Sequence, residues 1–367
     1  MSVTIDIAGL PTDRITVAIS PLGELGMALH ALAEPAHHPA LQGWATAVSA
    51  RLEPGLADRL CEVDFLWRAT ISDVFLPFAA LPGQSLPGAT LAEDLDLLDK
   101  LTDQQFVDAA LEVSCGVSYG RLAPHILADA AARDRALELV SARGPRRACF
   151  AQRLIEDPPR IRAWFRRLME DCEEAFFADT WARLRHQLAA DARHKAELLR
   201  HKGLGPALAA TSTAVSLDEE AGRISVDKLT VGHARAAESG LALVPTSLGG
   251  PHLLVLHRHG WRPVLHYPLA ASGMAALSSV DLLSRRMAAL AHPVRMRLCR
   301  YLARGPYTTG ELADAHGLTP PEVSRHLASL RKAGLLTTQR RGRYVQYQLD
   351  LGVVARLGGE FIEGVLR

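Results

Sequence analysis

Residues 318–336, LTPPEVSRHLASLRKAGLL, admit few folds. Thr319 is a good helix N-cap, and the proline after it favours the extended backbone that a cap needs. Pro320 then falls at the first helical position and Pro321 at the second, where a missing N–H breaks no intrahelical bond. Glu322 at the third position completes Thr-x-x-Glu, a capping box, and Leu318 and Val323 stand where a hydrophobic staple would. At 100° per residue, Val323, Leu327 and Leu330 lie within about 60° of one another. The two prolines therefore start a helix, over about 320–333, that buries one apolar stripe. Its other side carries Pro321, Ser324, Arg325, Ala328, Ser329 and Lys332, with His326 and Arg331 at the flanks.

The neighbouring segments give this helix a context. DLLSRRMAALA reads as a helix, and His292-Pro293 ends it and starts PVRMRLCRYLARG. TTGELADAHG is a short helix closed by Gly317. After 320–333, residues 335–349 alternate as a hairpin around Arg341-Gly342. Helix, helix, short helix, turn, helix, hairpin is the winged helix-turn-helix order, in which one helix enters the major groove and the hairpin reaches backbone or minor groove. Residues 281–350 hold twelve Arg/Lys and five Asp/Glu, net +7, against net −6 for the remainder. A basic module on an acidic body points to a polyanionic partner.

Residues 281–350, in LAHPVRMRL, TTGELA, VSRHLASLRKAGLL and the basic hairpin, resemble the ArsR/SmtB family of bacterial repressors. The resemblance implies double-stranded DNA as partner, a homodimer built on the helices flanking the DNA-binding core, and repression as the activity. It also raises metal sensing. The family's thiol site uses a Cys pair in the helix that is TTGELADAHG here, which has none; Cys299 stands alone in the preceding helix. The family's other site uses Asp and His on the last helix, where DLGVVARLGGEFIEGVLR has no His. No metal is therefore expected in the module. Four glycines, Gly352, Gly358, Gly359 and Gly364, are expected to weaken that last segment as a helix.

The expected DNA contacts are Thr319, Ser324, Arg325, His326, Ser329 and Lys332 on the recognition helix, and Arg340, Arg341 and Arg343 on the wing. An Arg fork suits guanine, and small neighbours permit close approach. Clustered arginines on a hairpin suit phosphates or a narrow minor groove. The alternatives are a solvated helix face and a solubilising tip, with His326 equally suited to packing at the core edge.

The front of the chain reads as α+β, mostly α: residues 1–205 as a mainly helical sensor region and 206–270 as a small antiparallel β section packed with it. A linker at 271–280 precedes the winged helix of 281–367. SVTIDI and RITVAI near the start read as short strands. Ile161, Trp164, Leu168, Cys172, Phe176, Leu184 and Leu188 repeat at helical spacing. HLLVLHRHG and WRPVLHYPL read as a hairpin around His259-Gly260, with His257 opposite Arg262. The front resembles, in PLGELGMALHAL…HHP and LALVPTSL…WRPVLHYPL, an uncharacterised extension that precedes such modules in actinomycete regulators.

Several chemistries lack their residues. The five cysteines are scattered with no CxxC pair. Of the strand-region histidines His252, His257, His259 and His266, only His257 and His259 share a strand face, too few for zinc. GVSYG, Gly116–Gly120, matches G-x-S-x-G, but the residues before Ser118 read as helix where a nucleophile elbow needs a strand. With no P-loop, HExxH or dinucleotide motif, no enzyme and no cofactor is expected. Charge-free stretches are broken by Pro and Gly, so a cytoplasmic protein with no membrane partner is expected. Two readings compete with a regulator that senses a small molecule through its front: a protein-interaction module tethered to DNA, and an enzyme with a DNA-binding tail.

Overall fold

The computed structural model describes residues 2–115, 125–228, 230–269, 280–341 and 344–366. The fold is α+β and mostly α, and the chain divides into two compact units, residues 1–274 and 275–366.

In the first unit, β1 (Ser2–Asp6) and β2 (Ile15–Val17) precede ten helices. These are α1 (Pro21–Ala33), α2 (Gln42–Ser49), α3 (Pro54–Glu62), α4 (Leu91–Asp99), α5 (Asp103–Cys115), α6 (Ala130–Ser141), α7 (Pro145–Glu156), α8 (Pro158–Cys172), α9 (Ala178–Lys202) and α10 (Leu204–Ala209). Six strands follow: β3 (Val215–Asp218), β4 (Arg223–Asp227), β5 (Gly232–Arg235), β6 (Leu241–Thr246), β7 (Leu254–Leu256) and β8 (Val264–Pro268). Helices α8 and α9 continue through a π-turn at Glu173–Phe177. The extra residue re-phases the apolar stripe, so Ile161, Phe165, Leu168 and Cys172 are buried before it and Leu188 after it.

The strands form two four-stranded sheets, β3-β4-β1-β5 and β2-β6-β8-β7. The expectation of an antiparallel β section is corrected here. β1 runs antiparallel to β4 but parallel to β5, and β2, β6 and β8 are mutually parallel neighbours. Parallel neighbours need long crossovers, and here helices α1–α10 all lie between β2 and its partner β6. β6 and β8 are buried along their whole length, as strands covered on both faces are. The hairpin also differs from expectation. β7 and β8 pair Leu254↔His266, Val255↔Leu265 and Leu256↔Val264. The ladder ends before His257, so His257 does not oppose Arg262; its Nδ1 contacts the Val255 carbonyl at 3.0 Å.

The second unit contains α11 (Val280–Leu290), α12 (Pro293–Leu302), β9 (Tyr307–Thr308), α13 (Thr309–His316), α14 (Pro320–Lys332), β10 (Leu336–Arg341), β11 (Tyr344–Leu349) and α15 (Leu351–Leu366). Its core joins Leu283, Leu298, Leu302, Leu312, Val323, Leu327, Leu330, Leu335, Val353 and Leu357. The glycines do not prevent the last helix: α15 runs sixteen residues. Packing outweighs their propensity cost. A side-chain carbon at Gly364 would stand 2.9 Å from Leu283 Cδ2, so glycine there lets α15 approach α11.

No described helix is long and apolar enough to cross a membrane.

Candidate nucleic-acid interface

Helix α13 starts with Thr308, whose hydroxyl accepts from the Glu311 N–H at 3.3 Å while Glu311 Oε2 accepts from the Thr308 N–H at 2.7 Å. It stops at Gly317, whose left-handed backbone (φ 62°) favours glycine. One residue of staple, Leu318, leads to Thr319, the cap of α14. Pro320 and Pro321 occupy the first helical turn. Glu322 Oε2 accepts from the Thr319 N–H at 2.9 Å and from its hydroxyl at 2.8 Å, so the carboxylate arm carries this box. These bonds hold the carboxyls of both Glu311 and Glu322 below their ordinary range.

With that start, Val323, Leu327 and Leu330 are essentially fully buried. Thr319, Ser324, Arg325, Ala328 and Lys332 are exposed, and Ser329 is half-buried. His326 turns to the core edge: its ring lies 4.9 Å from that of His292, the cap of α12. Burial, then repulsion from His292, Arg295 and Arg325, lowers its pKa.

The wing is a three-stranded sheet, β10-β11-β9. Arg341↔Tyr344 is its last described pair, and Gly342 of the expected turn lies outside the described residues. Arg340 is exposed and opposes Val345. Arg343 lies outside the described residues, as does Ser118 with its Gly116–Gly120 motif. The residues preceding that motif are helix α5, through Cys115.

In this module Cys299 is buried, and burial raises its thiol pKa. The histidines that gather are elsewhere. His30, His37 and His252 come together in the first unit, with His38 beside them. Strand-region spacing relates His252 only to His257, His259 and His266, and leaves out His30, His37 and His38. The spacing H-x6-H-H in ALHALAEPAHHP was the available signal.

A capped helix after a short helix and a glycine turn, with a basic hairpin behind it, defines a winged helix-turn-helix DNA-binding unit. The "Helix-turn-helix domain" family matches residues 290–339, and the "Family of unknown function (DUF5937)" matches residues 1–273. The HTH-type transcriptional regulator CmtR of Mycobacterium tuberculosis (strain ATCC 25618 / H37Rv) is 42% identical over 84 residues, 23% of this chain and 71% of that protein. The biofilm growth-associated repressor of Agrobacterium fabrum (strain C58 / ATCC 33970) is 38% identical over 68 residues, 18% of this chain and 58% of that protein. Among solved structures, that of the cadmium metal-sensor CMTR from Mycobacterium tuberculosis is 40% identical, over 23% of this chain and 88% of that one, with a TM-score of 0.19. The chain belongs to the DUF5937 family and carries an ArsR/SmtB-type helix-turn-helix, which makes it a DNA-binding transcriptional regulator.

Proposed function

We propose that the chain is a repressor that binds operator DNA as a homodimer, with α14 in the major groove and the wing on the backbone or minor groove. One observation carries this reading. The face of α14 opposite its buried stripe is exposed and offers Ser324, Arg325, Ala328 and Lys332. Arg325 is the base-reading side chain, with Ser324 and Ser329 as short-range partners. Thr319, Lys332, Arg340, Arg341 and Arg343 hold phosphates. Prolines at the first two helical positions remove N–H donors that another helix would offer to phosphate, which shifts that grip to these side chains. His326, packed on His292, supports the helix more than it grips DNA. Repression rests on the relatives whose names include it.

The homodimer is supported by α11 and α15. Leu351, Phe361 and Val365 are 54%, 49% and 53% exposed. They lie within about 80° of one another around α15. Val280 and Met287 are exposed apolar residues on α11. Exposed apolar strips of this kind mark association surfaces. Two-fold symmetry then matches paired half-sites about one helical turn apart.

The front unit senses a small molecule rather than catalysing a reaction. A cleft of about 670 Å³, lined by Arg14, Arg235, Glu238, Arg262 and His257 among others, is a candidate effector site. The setting of such a regulator is the cytoplasm, with its DNA. Gel shifts over a salt series test the central reading. Specific binding lost in Arg325→Ala supports it, and undiminished binding by Arg325→Ala and Arg340→Ala together overturns it.

A further inference from the structure

Four histidines meet in the first unit, three from one stretch of sequence and one from far along the chain. His30 lies in the last turn of α1, His37 ends the first of two short 3-10 turns after it and His38 lies between them, and His252 precedes β7. One ring nitrogen of each of His30, His37 and His252 lies within 4.8 Å of the other two. The His30 and His252 Nε2 atoms are 3.1 Å apart. The His38 ring stands with its centroid 5.0 Å from that of His30 and 5.1 Å from that of His252.

From this geometry we infer a transition-metal site, held by His30, His37 and His252, in the first unit. Zinc holds imidazole nitrogens at 2.0–2.1 Å, so neighbouring ligand atoms in a tetrahedral site lie about 3.3 Å apart. The His30–His252 separation already matches, and His37 is half-buried on a short turn, where a rotation of about 1.5 Å or less brings its nitrogen in.

The tautomers fit as well. His30 Nδ1 lies 2.8 Å from the Trp67 carbonyl. A carbonyl can only accept, so Nδ1 carries the proton and Nε2 presents a bare lone pair towards His252. A ligating histidine that donates its other N–H to a carbonyl is the usual outer arrangement of a metal site. His38 repeats it, with Nδ1 2.6 Å from the Gly250 carbonyl. A hydrogen bond between His30 and His252 accounts for one contact only. It leaves His37 Nδ1 and His38 Nε2, both buried with no hydrogen-bond partner among the described residues. Buried polar atoms are almost always partnered, and a cation is the partner that several imidazole lone pairs share.

The scaffold is preorganised. His30 is on a buried helix, and the loop that delivers His252 is tied to that helix by Glu24. Its carboxylate accepts from the Ser247 N–H at 3.0 Å and the Leu248 N–H at 2.8 Å. The loop closes on itself through the Gly249 N–H to the Thr246 hydroxyl at 2.9 Å and the His252 N–H to the Gly249 carbonyl at 2.7 Å. An all-imidazole set selects zinc, cobalt, nickel or copper over magnesium or calcium, which prefer oxygen. Three protein ligands leave a fourth position for water or an added anion.

The site is independent of the DNA-binding surface and is tested without DNA. Full-length, chelator-stripped protein is titrated with zinc against a chromophoric chelator, and with cobalt to read tetrahedral absorption bands. One equivalent per chain is expected in the wild type. His37→Gln and His252→Gln should each weaken zinc binding by at least about tenfold, and His201→Gln, at an exposed position on α9, should not. Circular dichroism checks folding, and His37→Gln, on a half-buried turn, keeps the test decisive should His252→Gln unfold. A wild type that does not compete for zinc, or a folded His37→Gln that binds like the wild type, overturns the assignment.

Discussion

Replacing Arg286 by methionine should destabilise the DNA-binding unit while leaving the first unit intact. Arg286 on α11 has a side chain 10% exposed, and its partner Glu360 on α15 is 9% exposed. The guanidinium Nη1 bonds the Glu360 carboxylate, and Nε donates to the Ala333 carbonyl at the end of α14, at 3.3 Å. One side chain thus ties the recognition helix and the last helix to the first. Arg286→Met retains the apolar stem but leaves a buried carboxylate without its cation, a loss of about 3–5 kcal/mol. A unit of roughly 90 residues is stable by only about 5–14 kcal/mol. Each kcal/mol moves Tm by about 4–8 °C at this size, so the unit's midpoint should drop by at least about 12 °C. All five tryptophans, Trp44, Trp67, Trp164, Trp181 and Trp261, belong to the first unit. Tryptophan fluorescence should therefore report an unchanged transition while circular dichroism shows an earlier one. Arg286→Met combined with Glu360→Leu removes both charges and should recover most of the loss. A shift below about 4 °C in the single variant, or a double variant no better than the single, would refute the reasoning.

Five further outcomes are expected. Arg325→Ala should cost about 1–3 kcal/mol in operator affinity and relax base preference at one position. Arg340→Ala should weaken all sequences alike and flatten the salt slope by about one unit, both read by gel shift. Leu327→Ala, in the recognition-helix core, should cost about 2–5 kcal/mol of folding stability, visible as an earlier circular-dichroism transition. Phe361→Glu with Val365→Glu should convert dimer to monomer in light scattering, with circular dichroism unchanged. Burial raises Glu24 from 4.5 to about 7, against hydrogen bonds from Thr246, Leu248 and Ser247 that lower it. The folded first unit therefore holds a proton that the unfolded chain has released, and Glu24's contribution is full below about pH 4.5 and lost as pH rises through 7. That loss is on the order of 3 kcal/mol, and Glu24→Gln should remove it from the difference between urea unfolding at pH 5 and at pH 8, followed by tryptophan fluorescence.

The DNA-binding unit was legible because its signals are local. A cap at Thr319, a carboxylate at Glu322 and apolar residues at 323, 327 and 330 fix a helix within a dozen positions. The wing register followed from alternation. The first unit was less legible, because β1 and β2 pair with strands more than 200 residues away. Nothing near Ile15 announces Leu241 as its neighbour, and short apolar runs do not declare parallel pairing. β6 and β8, buried on both faces, lack the alternation that separates inside from outside. The last helix defied its glycines because the decisive contact, Gly364 against Leu283, is tertiary. The histidine cluster was missed for the same reason: His252 meets His30 across 222 positions.

The most direct test of the central claim is selection of bound DNA from a random pool by the full-length protein at physiological salt, with Arg325→Ala in parallel. An inverted repeat with half-sites about one helical turn apart should be enriched, and the variant should lose or relax that repeat. Failure of the wild type to enrich any sequence, or enrichment of the same repeat by the variant, would contradict that claim.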